Sequence, residues 1–167
     1  MKLATIVAVL LLASVPAFAA ETISGRASVV DGDTIDIGGT RIRLNGIDAP
    51  ESWQKCQRAD GTEYRCGAAA AFALDDFLAA SRPTRCTPVD VDRYHRVVAN
   101  CFRADGKSVN AWLVRTGNAV DWVRYSHGAF EAEQDAARSA KIGFWGGRFE
   151  LPCKARAARA KRSANFC

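Results

Sequence analysis

Between Ile23 and Leu44 the chain runs through three short stretches of alternating apolar and polar residues, and its breaks are specific. Ile23 to Val30 is followed by Asp31-Gly32-Asp33 and Thr34 to Ile37 by Gly38-Gly39, and Thr40 to Leu44 returns. Period-two alternation sends successive side chains to opposite faces, so each stretch predicts a half-buried strand. Gly38-Gly39 is a two-residue hairpin signal, because the turn that matches strand twist needs positive φ at both positions. Three strands joined this tightly predict an antiparallel meander, which Pro50 ends because proline cannot donate to a ladder. Arg85 to Val91 and Val97 to Phe102 read as two further strands. Five short strands with one helix between the third and fourth predict an α+β fold: a five-stranded OB-type Greek-key barrel.

The helices follow from apolar stripes and stop signals. Over Gly67 to Ala80, Ala70, Leu74, Phe77 and Leu78 share one helical face. Ser108 can cap a helix running to about Thr116, with Gly117 at its left-handed stop. Ala129 to Ile142 carries its acids early and its bases late, as the helix dipole favours, and Gly143 ends it. Phe144 and Trp145 are then available to plug the core. Two helices are expected below the barrel, and the basic, alanine-rich stretch from Cys153 to Cys167 is expected to add a short one. Ser52 to Arg65 reads as a polar loop.

The six cysteines include no C-x2-C or C-x4-C pair, which argues against zinc. An even number in an exported chain predicts disulfides. If the fourth and fifth strands form a hairpin, Cys86 and Cys101 can face each other across it. Cys56 and Cys66 would close the polar loop, leaving Cys153 and Cys167 to tie the tail. Export is expected from residues 1–19, where Lys2 precedes the apolar run Leu3 to Val15 and Ala17-Phe18-Ala19 fits a cleavage site. The expected organisation is thus a leader (1–19), one OB-fold domain (20–150) and a basic, cysteine-bounded extension (151–167). No other long apolar stretch exists, so the mature chain is expected to have no membrane segment and to be periplasmic or secreted. It is also expected to be a monomer with no obligatory protein partner.

The carboxylates carry the chemistry. Asp31 and Asp33 are one residue apart, and the meander can bring them near Asp48 at the exit of the third strand. Close carboxylates with no histidine or cysteine beside them describe a hard oxygen site suited to calcium or magnesium. Asp-Gly-Asp taken alone reads more readily as a solvated turn. Glu51, stiffened by Pro50, could act on a water. Arg43 lies on the same strand, and Arg93 and Arg96 flank Tyr94 and His95 just before the fifth. Guanidinium forks match phosphate, and a tyrosine ring offers a base a stacking surface. The chain carries 23 basic and 18 acidic residues, a mild excess that permits a polyanionic partner. Lys154, Arg156, Arg159, Lys161 and Arg162 in the tail read more readily as a solvated helix face than as a contact with a nucleic-acid backbone.

Taken in order, "VVDGDTIDI", "RIRLNGIDAPES", "DRYHR", "DGKSVNAWLVRTGNAV" and "AEQDAARSAKIGFW" resemble the thermonuclease, or staphylococcal nuclease-like, family over about Ile23 to Trp145. The resemblance implies an OB-fold barrel with three helices and calcium-dependent cleavage of RNA and of single-stranded or frayed DNA, leaving 3'-phosphates. It implies calcium ligation by Asp33, Asp48 and the backbone carbonyl of Ala49, with Asp31 as a supporting acid. Glu51 is similar to the carboxylate acting on the attacking water, and Arg43 and Arg96 to the arginines that hold the phosphate. Arg93 and Tyr94 match nucleotide contacts, and Trp122 or Tyr125 would supply a further ring. Ala49 stands where threonine is common, and His95 where glycine is common. The alternative to an enzyme is a noncatalytic OB module that binds nucleic acid or protein.

Overall fold

A computed structural model of the protein describes residues 21–164 and Cys167; the expected leader lies outside them. In chain order the strands are β1 (Ile23–Gly25), β2 (Ala27–Asp31), β3 (Thr34–Ile37), β4 (Thr40–Leu44), β5 (Ile47–Asp48), β6 (Cys56–Gln57) and β7 (Glu63–Tyr64). Helix α1 (Cys66–Ala79) precedes β8 (Thr84–Val91) and β9 (Val97–Phe102). There follow α2 (Val109–Arg115), β10 (Val120–Asp121), α3 (Val123–Ser126), α4 (Glu131–Ser139), a 3-10 turn at Gly143–Gly146 and α5 (Pro152–Arg159).

The main sheet runs β1-β8-β9-β4-β3-β2. Its two ends, β1 and β2, are halves of the expected first strand, divided at Arg26. One strand therefore pairs with β8 through its first half and with β3 through its second, which closes the sheet on itself. The meander appears in register, with Ile35 opposite Ile42 and Thr34 opposite Arg43. Gly38 and Gly39 both take positive φ, 60° and 87°, and Asp36 Oδ1 accepts from the Gly39 N–H at 2.9 Å. The pairing of β4 with β9 is parallel, Leu44 lying beside Ala99. A parallel neighbour needs a long crossover, here supplied by α1 and β8.

Burial follows the alternation. Ile35, Ile42, Leu44 and Ile47 are sealed inside the barrel, and α1 contributes Ala70, Leu74, Phe77 and Leu78 to the buried set. Ser108 Oγ accepts from the Ala111 N–H at the start of α2, and Gly117 takes φ 63° after its end. Helix α4 is shorter than Ala129–Ile142: Lys141 already adopts a left-handed φ of 54°, so the stop falls before Gly143. Phe144 packs with Val120, Cys56 and Cys66 in a second cluster beside the main core.

Several elements have no counterpart in the sequence reading, among them the β5–β10 pair, the β6–β7 hairpin and α3. The Ser52–Arg65 loop contains the β6–β7 hairpin, with Cys56 opposite Tyr64, and the Cys56–Cys66 disulfide ties it to the start of α1 within the Phe144 cluster. After Trp122, whose carbonyl accepts from the N–H groups of Tyr125 and Ser126, the chain makes the single turn of α3. The described residues therefore carry five α-helices. The three expected disulfides are present, with Cα–Cα separations of 5.6 Å (Cys56–Cys66), 4.1 Å (Cys86–Cys101) and 5.8 Å (Cys153–Cys167). Cys86 and Cys101 are directly opposite in the β8–β9 ladder.

Candidate active site

Asp33 enters the site from the turn between β2 and β3. Asp31 Oδ1 accepts from the Asp33 N–H at 3.1 Å, which fixes the turn and leaves Asp31 beside the carboxylate it supports. Asp33 Oδ2 accepts from the Ala49 N–H at 2.9 Å, tying the turn to the exit of β5. Asp48, fully buried, lies on β5 opposite Val120 of β10. Burial raises the Asp33 carboxyl to about 7; Arg43 and the Ala49 N–H pull it down, while Asp31 and Asp48 add to the rise. Such crowding of acids is costly unless a positive charge lies among them.

Arg43 supplies part of that charge from β4. Its Nη1 is 3.0 Å from Asp33 Oδ2, and its Nη2 is 3.5 Å from Asp48 Oδ1. The same guanidinium donates to the carbonyls of Leu44 at 3.2 Å and Ile47 at 3.0 Å. Those backbone acceptors hold the fork rigidly at the floor of the site.

Arg96 reaches the same rim across the barrel. Its Nε donates to Asp92 Oδ2 at 2.7 Å, and Asp92 Oδ1 accepts from the N–H groups of Tyr94 and Arg96. Its Nη1 donates to Thr34 Oγ1 at 3.3 Å, and that hydroxyl in turn donates to Asp33 Oδ1. The turn between Asp92 and Arg96 requires a left-handed residue, and His95 takes φ 61°, the region that favours glycine. Tyr94 is exposed, and both Arg93 (4.8 Å to the ring centroid) and Arg96 (5.6 Å) approach its ring. The two candidate rings lie in different surroundings. Trp122 lies 5.9 Å from the Arg43 guanidinium, whereas Tyr125 packs edge-on behind Trp122 and faces outward.

One site residue was missed. Arg156, on α5, donates through Nη1 to Asp48 Oδ1 at 2.7 Å and to Glu51 Oε1 at 2.8 Å, and through Nη2 to Asp48 Oδ2 at 3.0 Å. The reading of the tail as a solvated face fails here. Ala155 and Ala157 are buried on either side, and Arg156 turns inward while Lys154, Arg159, Lys161 and Arg162 stay exposed. Burial opposes the Arg156 charge, but Asp48 and Glu51 outweigh it and hold the guanidinium charged beyond the usual arginine range. The tail's composition gave no sign of which base turns inward; the nearest signal was Cys153, which marks where the helix is tied.

Whether the donors suit a divalent cation depends on their chemistry. Asp33, Asp48 and the Ala49 carbonyl are hard oxygen donors, and the Asp33 carboxylate, whose charge is disfavoured chiefly by burial and further by Asp31 and Asp48, would be stabilised by a cation beside it. Among the described residues, no group of three or more His, Cys, Asp or Glu side chains is placed to hold a metal ion by itself. The guanidiniums of Arg43 and Arg156 lie among the carboxylates.

Residues 41–147 match the model of the family described as staphylococcal nuclease homologue. The chain is 53% identical over 144 residues to the succinoglycan biosynthesis protein ExoI of Rhizobium meliloti (strain 1021), covering 86% of this chain and 75% of that protein. It is 30% identical over 149 residues to an uncharacterized endonuclease of Escherichia coli, covering 86% and 90%. To the micrococcal nuclease of Shigella flexneri it is 31% identical over 154 residues, covering 83% and 81%.

Proposed function

The chain belongs to the staphylococcal nuclease homologues, and from that premise we propose that it is a calcium-dependent endonuclease hydrolysing the phosphodiester bonds of DNA and RNA. The proposal includes a preference for single-stranded or frayed substrate and products ending in 3'-phosphates. The observation that carries it is the convergence of Asp33, Asp48, Glu51, Arg43 and Arg96 on one rim from separate elements. A noncatalytic binding module has no need of all five together.

Asp33, Asp48 and the Ala49 carbonyl would hold the ion, with Asp31 behind Asp33. A bound calcium ion would neutralise charge on the phosphate and favour deprotonation of a water. Glu51, on its stiff Pro50 exit, accepts the proton of the attacking water. Arg43 and Arg96 are preorganised by backbone carbonyls and by Asp92, so they can meet developing charge on the phosphorus oxygens without reorganising. Arg93 and Tyr94 extend the rim toward the nucleotide, and Trp122 offers a further stacking face.

The proposed setting is the periplasm or the exterior, after loss of residues 1–19, as a monomer of one domain (20–150) with its extension (151–167). Three disulfides support that setting. Incubation of single-stranded DNA with the protein and calcium, then with excess chelator, tests the function, and end-group analysis reads the products. Cleavage that stops on chelation is expected; full activity in chelator would overturn the metal dependence. The binding-only reading draws on the Arg156 ion pair at the site, and absence of cleavage by both the wild-type protein and Arg156→Met would favour it.

A further inference from the structure

Arg156 places both guanidinium nitrogens on the two acids that the proposed mechanism needs for other partners. Asp48 is a proposed metal ligand, and both its oxygens accept from Arg156; Glu51, the proposed base, accepts from the same Nη1. The contact is built into the fold by several independent restraints. Pro152, Cys153, Ala155 and Ala157 bury one face of α5. Leu151 packs on the Phe144 cluster, and Gln54 Nε2 donates to the Glu150 carbonyl at 2.6 Å. Arg159 lies 4.5 Å from the Trp53 ring, and Cys153 is joined to Cys167. Arg156 also lies 5.4 Å from the Trp122 ring. A long cationic side chain is thus delivered from a docked helix.

We propose that Arg156 is a tethered competitor for the cation subsite: its guanidinium and a divalent cation hold the Asp48 and Glu51 carboxylates alternately. The proposal rests on the reading of Asp33 and Asp48 as calcium ligands. Its physical basis is exclusion. Arg156 holds both Asp48 oxygens, at 2.7 and 3.0 Å, whereas Arg43 shares only Oδ1 and at 3.5 Å, so a cation ligated by Asp48 would have to occupy the positions that Nη1 and Nη2 fill. Metal entry must therefore displace Arg156, and the work of displacement appears as weakened metal affinity. The docked helix keeps the competitor at high local concentration.

Calcium binding to metal-free, oxidised protein, followed by titration calorimetry, tests this without reference to cleavage. Arg156→Met keeps the length of the stem and removes the donors, and should bind calcium about tenfold or more tightly than wild type, since charge-assisted hydrogen bonds no longer have to be broken. Arg156→Lys, with charge but no fork, should fall between the two. The double variant Cys153→Ser, Cys167→Ser unties the tail while retaining Arg156, and should also bind calcium more tightly than wild type. Thermal melts without metal establish that each variant is folded; if Arg156→Met is not, the double-serine variant decides. Equal affinity in wild type and Arg156→Met would overturn the competition and leave the calcium site standing. Weaker binding in Arg156→Met would also overturn it, assigning Arg156 a supporting role. No calcium binding by any of the proteins would remove both the calcium reading and the competitor built on it.

Discussion

Arg96 reaches the rim of the candidate site because Asp92 holds it there, through two backbone N–H groups and the Arg96 Nε. Burial works against the Asp92 charge, but the Arg96 and Tyr94 N–H groups and the Arg96 guanidinium prevail and keep its carboxyl below the ordinary aspartate range. A depressed folded-state value contributes stability above the unfolded value and loses it as pH falls through the folded one. Wild type should therefore be more stable than Asp92→Asn at pH 6, with the gap closing below about pH 3.9; urea denaturation at the two ends of that range checks it. The same substitution should slow turnover while sparing calcium affinity, because Asp92 touches no proposed ligand. Arg43→Ala and Arg96→Ala should each slow turnover on the order of a hundredfold, as removal of a preorganised charge stabiliser does. Glu51→Gln should lower turnover with little loss of substrate affinity; loss of binding at an unchanged single-turnover rate would contradict its role as base.

The position of Glu51 depends on how closely helix α1 approaches it. A Cβ built on Gly67 would lie 1.7 Å from the Glu51 carbonyl oxygen, so only glycine lets the helix start against that backbone. The Gln54 N–H donates to the Glu51 carbonyl at 2.7 Å, and the Cys56–Cys66 disulfide closes the loop between them. Gly67→Ala should therefore displace the Glu51 segment. A loss of about 1–3 kcal/mol of stability is expected from overpacking against backbone, with a fall in turnover. Chemical denaturation and steady-state kinetics read the two effects separately. A variant as stable and active as wild type would show that the loop yields without disturbing Glu51.

At the scale of the whole molecule, the Cys86–Cys101 disulfide joins adjacent strands inside the core, both residues fully buried. Removing the bridge as Cys86→Ala, Cys101→Ala should cost about 2–5 kcal/mol, measured as a shift in the urea midpoint. The tail disulfide is expected to act differently. It crosslinks the last segment and lies outside the barrel, so its loss should be felt first in calcium binding and only weakly in barrel stability.

The sequence by itself determined much of the local structure. Alternation marked the meander strands, Gly38-Gly39 the hairpin, and Ser108 the start of α2, because each signal acts over a few neighbouring residues. It also marked Asp33, Asp48, Glu51, Arg43 and Arg96 as candidates, since their residue types already limit the chemistry they can perform. The tertiary structure decided what depends on distant partners. Arg26 divides the first strand only because its halves pair with different neighbours. Trp122, rather than Tyr125, faces Arg43 because α3 turns the chain after it. Arg156 meets Asp48 and Glu51 from more than a hundred residues away. Among five tail bases of like composition, helical phase and the docking of α5 selected that one, and neither can be read from the charges alone.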